Sequence, residues 1–108
     1  MLTNLIVIVA HPMITDKENL QSTYKLIQCA FPKGIESQYY LPLLALLSEE
    51  MSDKNLAEVV AYDSGKDYSV VLNDVYRVQS IDIPTSEAIA NLKKRLLICG
   101  YEQWLEEG

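Results

Sequence analysis

Residues 41–47, Leu-Pro-Leu-Leu-Ala-Leu-Leu, are apolar on every side of any helix they form. Such a helix has no solvent face and needs other elements around its whole circumference. Pro42 suits a first helical turn, where its missing N–H costs nothing, and Ser37 offers a cap. The reading is a central helix over about residues 38–50, wrapped by neighbours that each carry one apolar stripe.

The flanking segments supply those neighbours. Thr15-Asp16-Lys17-Glu18 has the form of a capping box, in which hydroxyl and carboxylate each accept from the other residue's amide. Leu20, Tyr24, Ile27 and Phe31 follow at helical spacing, and Pro32-Lys33-Gly34 ends the run, which predicts a helix over 16–31. Ser52 is an N-cap for a helix over 53–62, with Met51 and Leu56 at staple positions and Leu56, Val59 and Val60 inward. Asp63-Ser64-Gly65-Lys66-Asp67 reads as a loop. Thr85 caps a last helix whose inner face is Ile89, Leu92, Leu96, Leu97 and Ile98, stopped by Gly100. Residues 102–108 form a short acidic tail with Trp104 as its one anchor.

Residues 68–81 admit two readings. Val70, Val71, Val75, Val78 and Ile81 are β-branched and suit a strand. Val71, Val75 and Val78 also keep helical spacing, Asp67 offers a cap, and only residues 5–10 could supply a partner strand. Helix is preferred. The expectation is an all-α fold: one compact bundle of four to five short helices over 15–101, with no repeat or internal linker.

The chain has 108 residues and a formal net charge of −6, and nearly half of it is apolar. The charge is uneven: residues 36–82 hold nine acids against three bases, so that segment carries the whole −6. An acidic middle repels phosphate backbones and argues against general nucleic-acid binding. It suits solubility or a basic partner. No stretch nears the roughly 18 apolar residues of a membrane span. Cys29 and Cys99 stand far apart among apolar neighbours, without a CxxC spacing. They read as two reduced, buried thiols of a cytoplasmic protein, with a single disulfide as the alternative.

Three segments resemble a known family. Ala30-Phe31-Pro32-Lys33-Gly34-Ile35, then residues 40–47, then Met51-Ser52-Asp53 resemble the central signature of domain-of-unknown-function family 3349, small bacterial proteins found mainly in actinobacteria. That signature reads approximately aromatic-Pro-x-Gly-Val, then D-Y-x-P-L-L-A-L-L, then L-S/T-D. Ile83-Pro84-Thr85-Ser86-Glu87 and Gly100-Tyr101 look like its L-P-S-P-E and G-W/Y positions. The similarity spans about residues 15–101. It implies a monomeric five-helix bundle, helix at 68–81, and no assigned activity. Gln38-Tyr39 departs from the family, which tends to carry Asp before its Tyr. Residues 1–14 have no counterpart.

Within residues 1–14, Ile6-Val7-Ile8-Val9-Ala10-His11-Pro12 looks like the first strand of flavodoxin-like quinone reductases, whose following loop cradles a flavin phosphate. No α/β alternation follows, and the chain is too short for a doubly wound sheet. The segment lacks the basic start of a signal peptide, and Pro12 stands where a small cleavage residue belongs. Residues 1–14 therefore read as an apolar arm, packed on the bundle or on a second copy, or as residues upstream of a true start at Met13. The chain is expected to be a monomer, or a dimer through that arm.

No catalytic constellation stands out. His11 is the only histidine, and scattered acids lack metal-ligand spacing. No cofactor is expected. Residues 63–67 lack the alternating acids of a calcium loop and the first glycine of a phosphate loop. Lys93-Lys94-Arg95 reads as a solvated face whose cations suit a helix C-terminus. The excess is tyrosine, seven residues, which gives large contact area at low entropy cost. Tyr39 and Tyr40 are neighbours on a helix, so one should be exposed. The candidate interface is Tyr39, Tyr40, Glu49, Glu50, Asp53, Tyr62, Asp63, Asp67 and Tyr68. The expected function is a non-catalytic protein-interaction module of unknown biological role with a protein partner, for which a basic one is an option beside simple solubility of the acidic segment. An immunity protein or antitoxin against a basic toxin is the alternative, and a small-ligand carrier or enzyme the third reading.

Overall fold

The computed structural model describes the backbone of residues 11–107 and the side chains of residues 20–107. Among the described residues six helices follow in order: α1 His11–Ala30, α2 Ser37–Leu47, α3 Asp53–Ser64, α4 Tyr68–Ser80, α5 Ser86–Ile98 and α6 Tyr101–Glu107. No strand occurs among the described residues. Helix α2 is the centre, as its composition requires: Leu43, Leu44 and Leu47 are fully buried. Helices α4 and α5 pack on α2, α3 packs on α4, and α1 contacts α3, α5 and α6. One core results, with Ile27 and Phe31 from α1, Leu56, Val59 and Val60 from α3, and Leu92 and Leu96 from α5.

Local chemistry fixes most of the boundaries. Ser52 Oγ accepts from the Asn55 amide at 3.1 Å, and Thr85 Oγ1 from the Ala88 amide at 3.1 Å, so both predicted caps are made. Gly65 ends α3 and Gly100 follows α5, at φ +78° and +89°, the left-handed region where glycine carries no Cβ penalty. The β-branched stretch is helical, because Val71, Val75 and Val78 share one buried face of α4. Burial of that stripe outweighs the weak intrinsic preference for strand.

Several expectations are corrected. Helix α1 already runs at His11, the first described residue, so Thr15 lies inside it and does not cap it. The arm loses residues 11–14 to the helix, and its remainder, 1–10, lies outside the described residues. Helix α2 starts at Ser37 behind Glu36, whose side chain makes no cap bond. Pro42 is thus the sixth residue, beyond the first turn; it forgoes one helical hydrogen bond, and its ring is buried. Asp67 is the N-cap residue of α4, but its carboxylate makes no cap bond. The tail is helical from Tyr101, and Tyr101 and Trp104 are both buried. Trp104 Nε1 donates to Thr23 Oγ1 at 2.9 Å, which fastens α6 to α1. Leu97 and Ile98, placed on the inner face of α5, are exposed.

The thiol expectation also falls. Cys29 and Cys99 form a disulfide, with Cα atoms 5.8 Å apart, inside the range a bridge tolerates. Cys29 is exposed rather than buried, and Cys99 is half-buried. The cause is the seating of α5 on the end of α1. Arg95 Nε donates to the carbonyl of Ala30, the last residue of α1, at 2.8 Å, and a second guanidinium nitrogen pairs with Glu36 at 2.7 Å. Its guanidinium lies over the Phe31 and Tyr39 rings, 4.8 and 5.1 Å from their centroids. Arg95 is therefore a clamp at the helix C-terminus, not part of a solvated face, and it brings the end of α5 beside Cys29.

Candidate functional site

The end of α2, the end of α4 and the start of α5 leave a groove of about 410 Å³ between them. Ala45 and Leu46 form one wall, Val78 another, and Ile83, Pro84 and Ile89 a third. The linker that closes it is folded back on α4: the Ile81 and Asp82 amides both donate to the Arg77 carbonyl at 2.8 Å. The Arg77 guanidinium holds Asp82 and Asp74 together. So pinned, the linker presents Ile81 and Ile83 outward, 77% and 67% exposed. Two large aliphatic side chains held in water on a fixed turn cost apolar exposure with no local return.

Glu49 is the charged residue of the groove lining. Gln79, also in the lining, donates to Asp53 Oδ1 at 3.0 Å and so places that carboxylate at the rim. Glu50, Asp82 and Glu87 adjoin lining residues in sequence. Arg77, the base of α4, is already engaged by two carboxylates. The rim is acidic around an apolar floor. The Glu50 and Glu49 carboxylates also add to burial in pushing the Tyr101 hydroxyl above its ordinary pKa.

The nine candidate residues do not form one patch. Asp53 opens α3 and Asp63 lies in its last turn, about 15 Å apart at 1.5 Å per residue. Glu49, Glu50 and Asp53 go with the groove. Tyr40 and Asp63 go with a second hollow of about 370 Å³, also lined by Lys33, Ser37 and Lys66. Asp67 and Tyr68, beside it at the start of α4, are exposed. Tyr62 is 73% exposed and sets its ring edge-on to Tyr24 at 5.2 Å.

Neither Tyr39 nor Tyr40 is an exposed anchor, against expectation: both are half-buried. Tyr39 packs on Phe31, its centroid 5.6 Å away, beneath Arg95. The Tyr40 hydroxyl donates to Asp74 Oδ2 at 2.7 Å, and the Lys66 ammonium lies over its ring at 4.8 Å. Burial first, and then that hydrogen bond, push the Tyr40 hydroxyl far above its ordinary pKa. Asp74 is itself buried and takes its other bond from Arg77 at 3.1 Å. Tyr40→Phe removes one of the two partners of a buried carboxylate and is expected to cost about 1–3 kcal/mol of stability. Urea unfolding of the two proteins checks it, and a difference near zero would contradict the coupling of α2 to α4.

Asp63 carries a different signature. Its Oδ2 is buried with no hydrogen-bond partner among the described residues. Burial raises its pKa above the ordinary 3.8. A raised acid favours folding most below 3.8, and that contribution is lost as pH rises through the folded value. Asp63→Asn keeps the group neutral throughout. It is expected to raise Tm slightly at pH 7, with the gain fading toward pH 4. A variant less stable than wild type at pH 7 would show that the carboxylate is needed.

The sequence reading missed Ile81, Ile83 and Gln79 as surface-defining residues. A signal was present at Ile83, which lies past the 68–81 segment in the stretch leading into Pro84 and has no helical stripe to join. The His11 side chain lies outside the described side chains. Both sulfurs are bonded to each other, so neither is a thiolate nucleophile in this state. Among the described residues no group of three His, Cys, Asp or Glu converges as a metal site, and no helix is long and apolar enough to cross a membrane. No protein-family model, curated protein or solved structure matches the chain.

Proposed function

We propose that this protein is a non-catalytic protein-interaction module whose docking surface is the groove between α2, α4 and α5. The observation that carries the reading is the pair Ile81 and Ile83, held out into water beside an apolar groove by the Arg77–Asp82 pairing. Protein interfaces place apolar anchors of this kind at their centre and polar groups at the rim. The volume is at the small end of the roughly 300–1,000 Å³ of ligand pockets and has room for an apolar side chain or two. This interface replaces the one read from the tyrosines, of which Glu49, Glu50 and Asp53 are kept.

The test is recovery of a partner on two tagged baits, wild type and Ile83→Asp, expressed in the native host. Ile83 is exposed, so the variant is expected to fold as wild type does. A protein retained in equal molar amount by wild type and lost from the variant supports the reading. A partner held equally by both baits would move the docking surface elsewhere. A small molecule held by both would replace the interaction reading with that of a carrier.

A further inference from the structure

We infer that the groove takes an apolar side chain presented on a lysine- or arginine-rich amphipathic segment of the partner, with the bases seated on the acidic rim. The inference rests on the interaction reading above and adds the chemistry of the partner. Glu49, Glu50 and Glu87 make no side-chain ion pair or hydrogen bond with the described residues, and all three are exposed. Glu49 lines the groove beside Leu46, Val78 and Ile83, Gln79 holds the Asp53 carboxylate next to it, and Glu50 and Glu87 adjoin lining residues in sequence. Arg77 offers no free charge of the opposite sign, since Asp74 and Asp82 hold it. An acidic partner would meet like charge at Glu49 and Asp53, which costs affinity and slows encounter. A basic segment gains on both counts and still buries its apolar anchor.

The second hollow supplies the contrast. Lys33 and Lys66 line it together with Asp63, so its charge is mixed. A cationic amphipathic segment drawn to this acidic protein by net charge alone would spread over both ends of the bundle. One that reads the groove would not.

The probe is a synthetic peptide of about 15 residues, long enough for an isolated helix to begin to hold, with leucine on one face and lysine on the other. Two controls accompany it, one with glutamate for lysine and one with serine for leucine. Each is titrated into the full chain while backbone amide shifts are followed by NMR. Saturable shifts confined to residues 45–49 and 78–89 are expected, with at least roughly tenfold weaker binding for either control. Ile83→Asp and the double variant Glu49→Lys/Glu87→Lys should each weaken the leucine–lysine peptide about as much, at unchanged Tm. Shifts centred on residues 33–40 and 63–66, or equal binding of the glutamate peptide, would overturn the inference. If Ile83→Asp loses a native partner while no lysine peptide binds, the docking surface stands and the assigned partner chemistry falls.

Discussion

Replacing Cys29 and Cys99 together by serine is expected to lower the stability of the folded chain by about 2–4 kcal/mol. The bridge joins residues 70 apart in sequence. Closing so long a loop restricts the unfolded chain strongly, and the loop-closure model gives roughly 4 kcal/mol for it. Local consequences add to the global one. The bond ties the last turn of α1 to Cys99, two residues before α6 begins at Tyr101. Helix α6 has only seven residues and is fastened by Trp104 on Thr23 and by burial of Tyr101. Without the bridge, α6 should be the first part to loosen, seen as a change in Trp104 fluorescence below the main transition. A drop in Tm of roughly 10 °C or more is expected for a domain of this size. Dithiothreitol should reproduce it in wild type and leave the serine variant unchanged. Equal unfolding curves for wild type and variant would mean that the bond makes no net contribution.

Leu44→Ala is expected to cost about 2–5 kcal/mol. Leu44 is fully buried on the helix that every apolar argument placed at the centre. Helices α4 and α5 both pack on α2, so a void there is hard for any one neighbour to fill. Leu41, only half-buried on the same helix, is the internal comparison, and Leu41→Ala should cost distinctly less. Chemical unfolding of the two variants measures the difference. Equal and small losses would mean that α2 is peripheral and that the core lies elsewhere.

The central helix, the caps at Ser52 and Thr85 and the buried stripe of α4 were legible because each is a local pattern. Periodicity states which face must leave water, and a hydroxyl before an apolar run states where a helix begins. What stayed hidden depended on how helices sit on one another. Cys29 lies between Ile27 and Phe31, so the stripe that predicts α1 already turns Cys29 outward; the apolar neighbours on either side argued for burial and were the weaker guide. That Cys99 would arrive beside it depended on Arg95 clamping the end of α1, a contact spanning 65 residues. The expectation of a cytoplasmic protein leaned on reduced thiols and loses that support. Tyr39 and Tyr40 were read as rivals for one core face. They are instead divided between two contacts at the rim, Phe31 with Arg95 for one and Asp74 for the other. The acids of the candidate interface were identified one by one, but only the antiparallel run of α3 and α4 separates them into two ends.

Hydrogen–deuterium exchange of the protein alone and with the partner recovered on the wild-type bait tests the docking surface most directly. The account predicts slowed exchange in peptides covering residues 45–49 and 78–89, with residues 62–68 unchanged. Protection centred on residues 62–68, with the α2–α4–α5 groove exchanging as in the free protein, would contradict it.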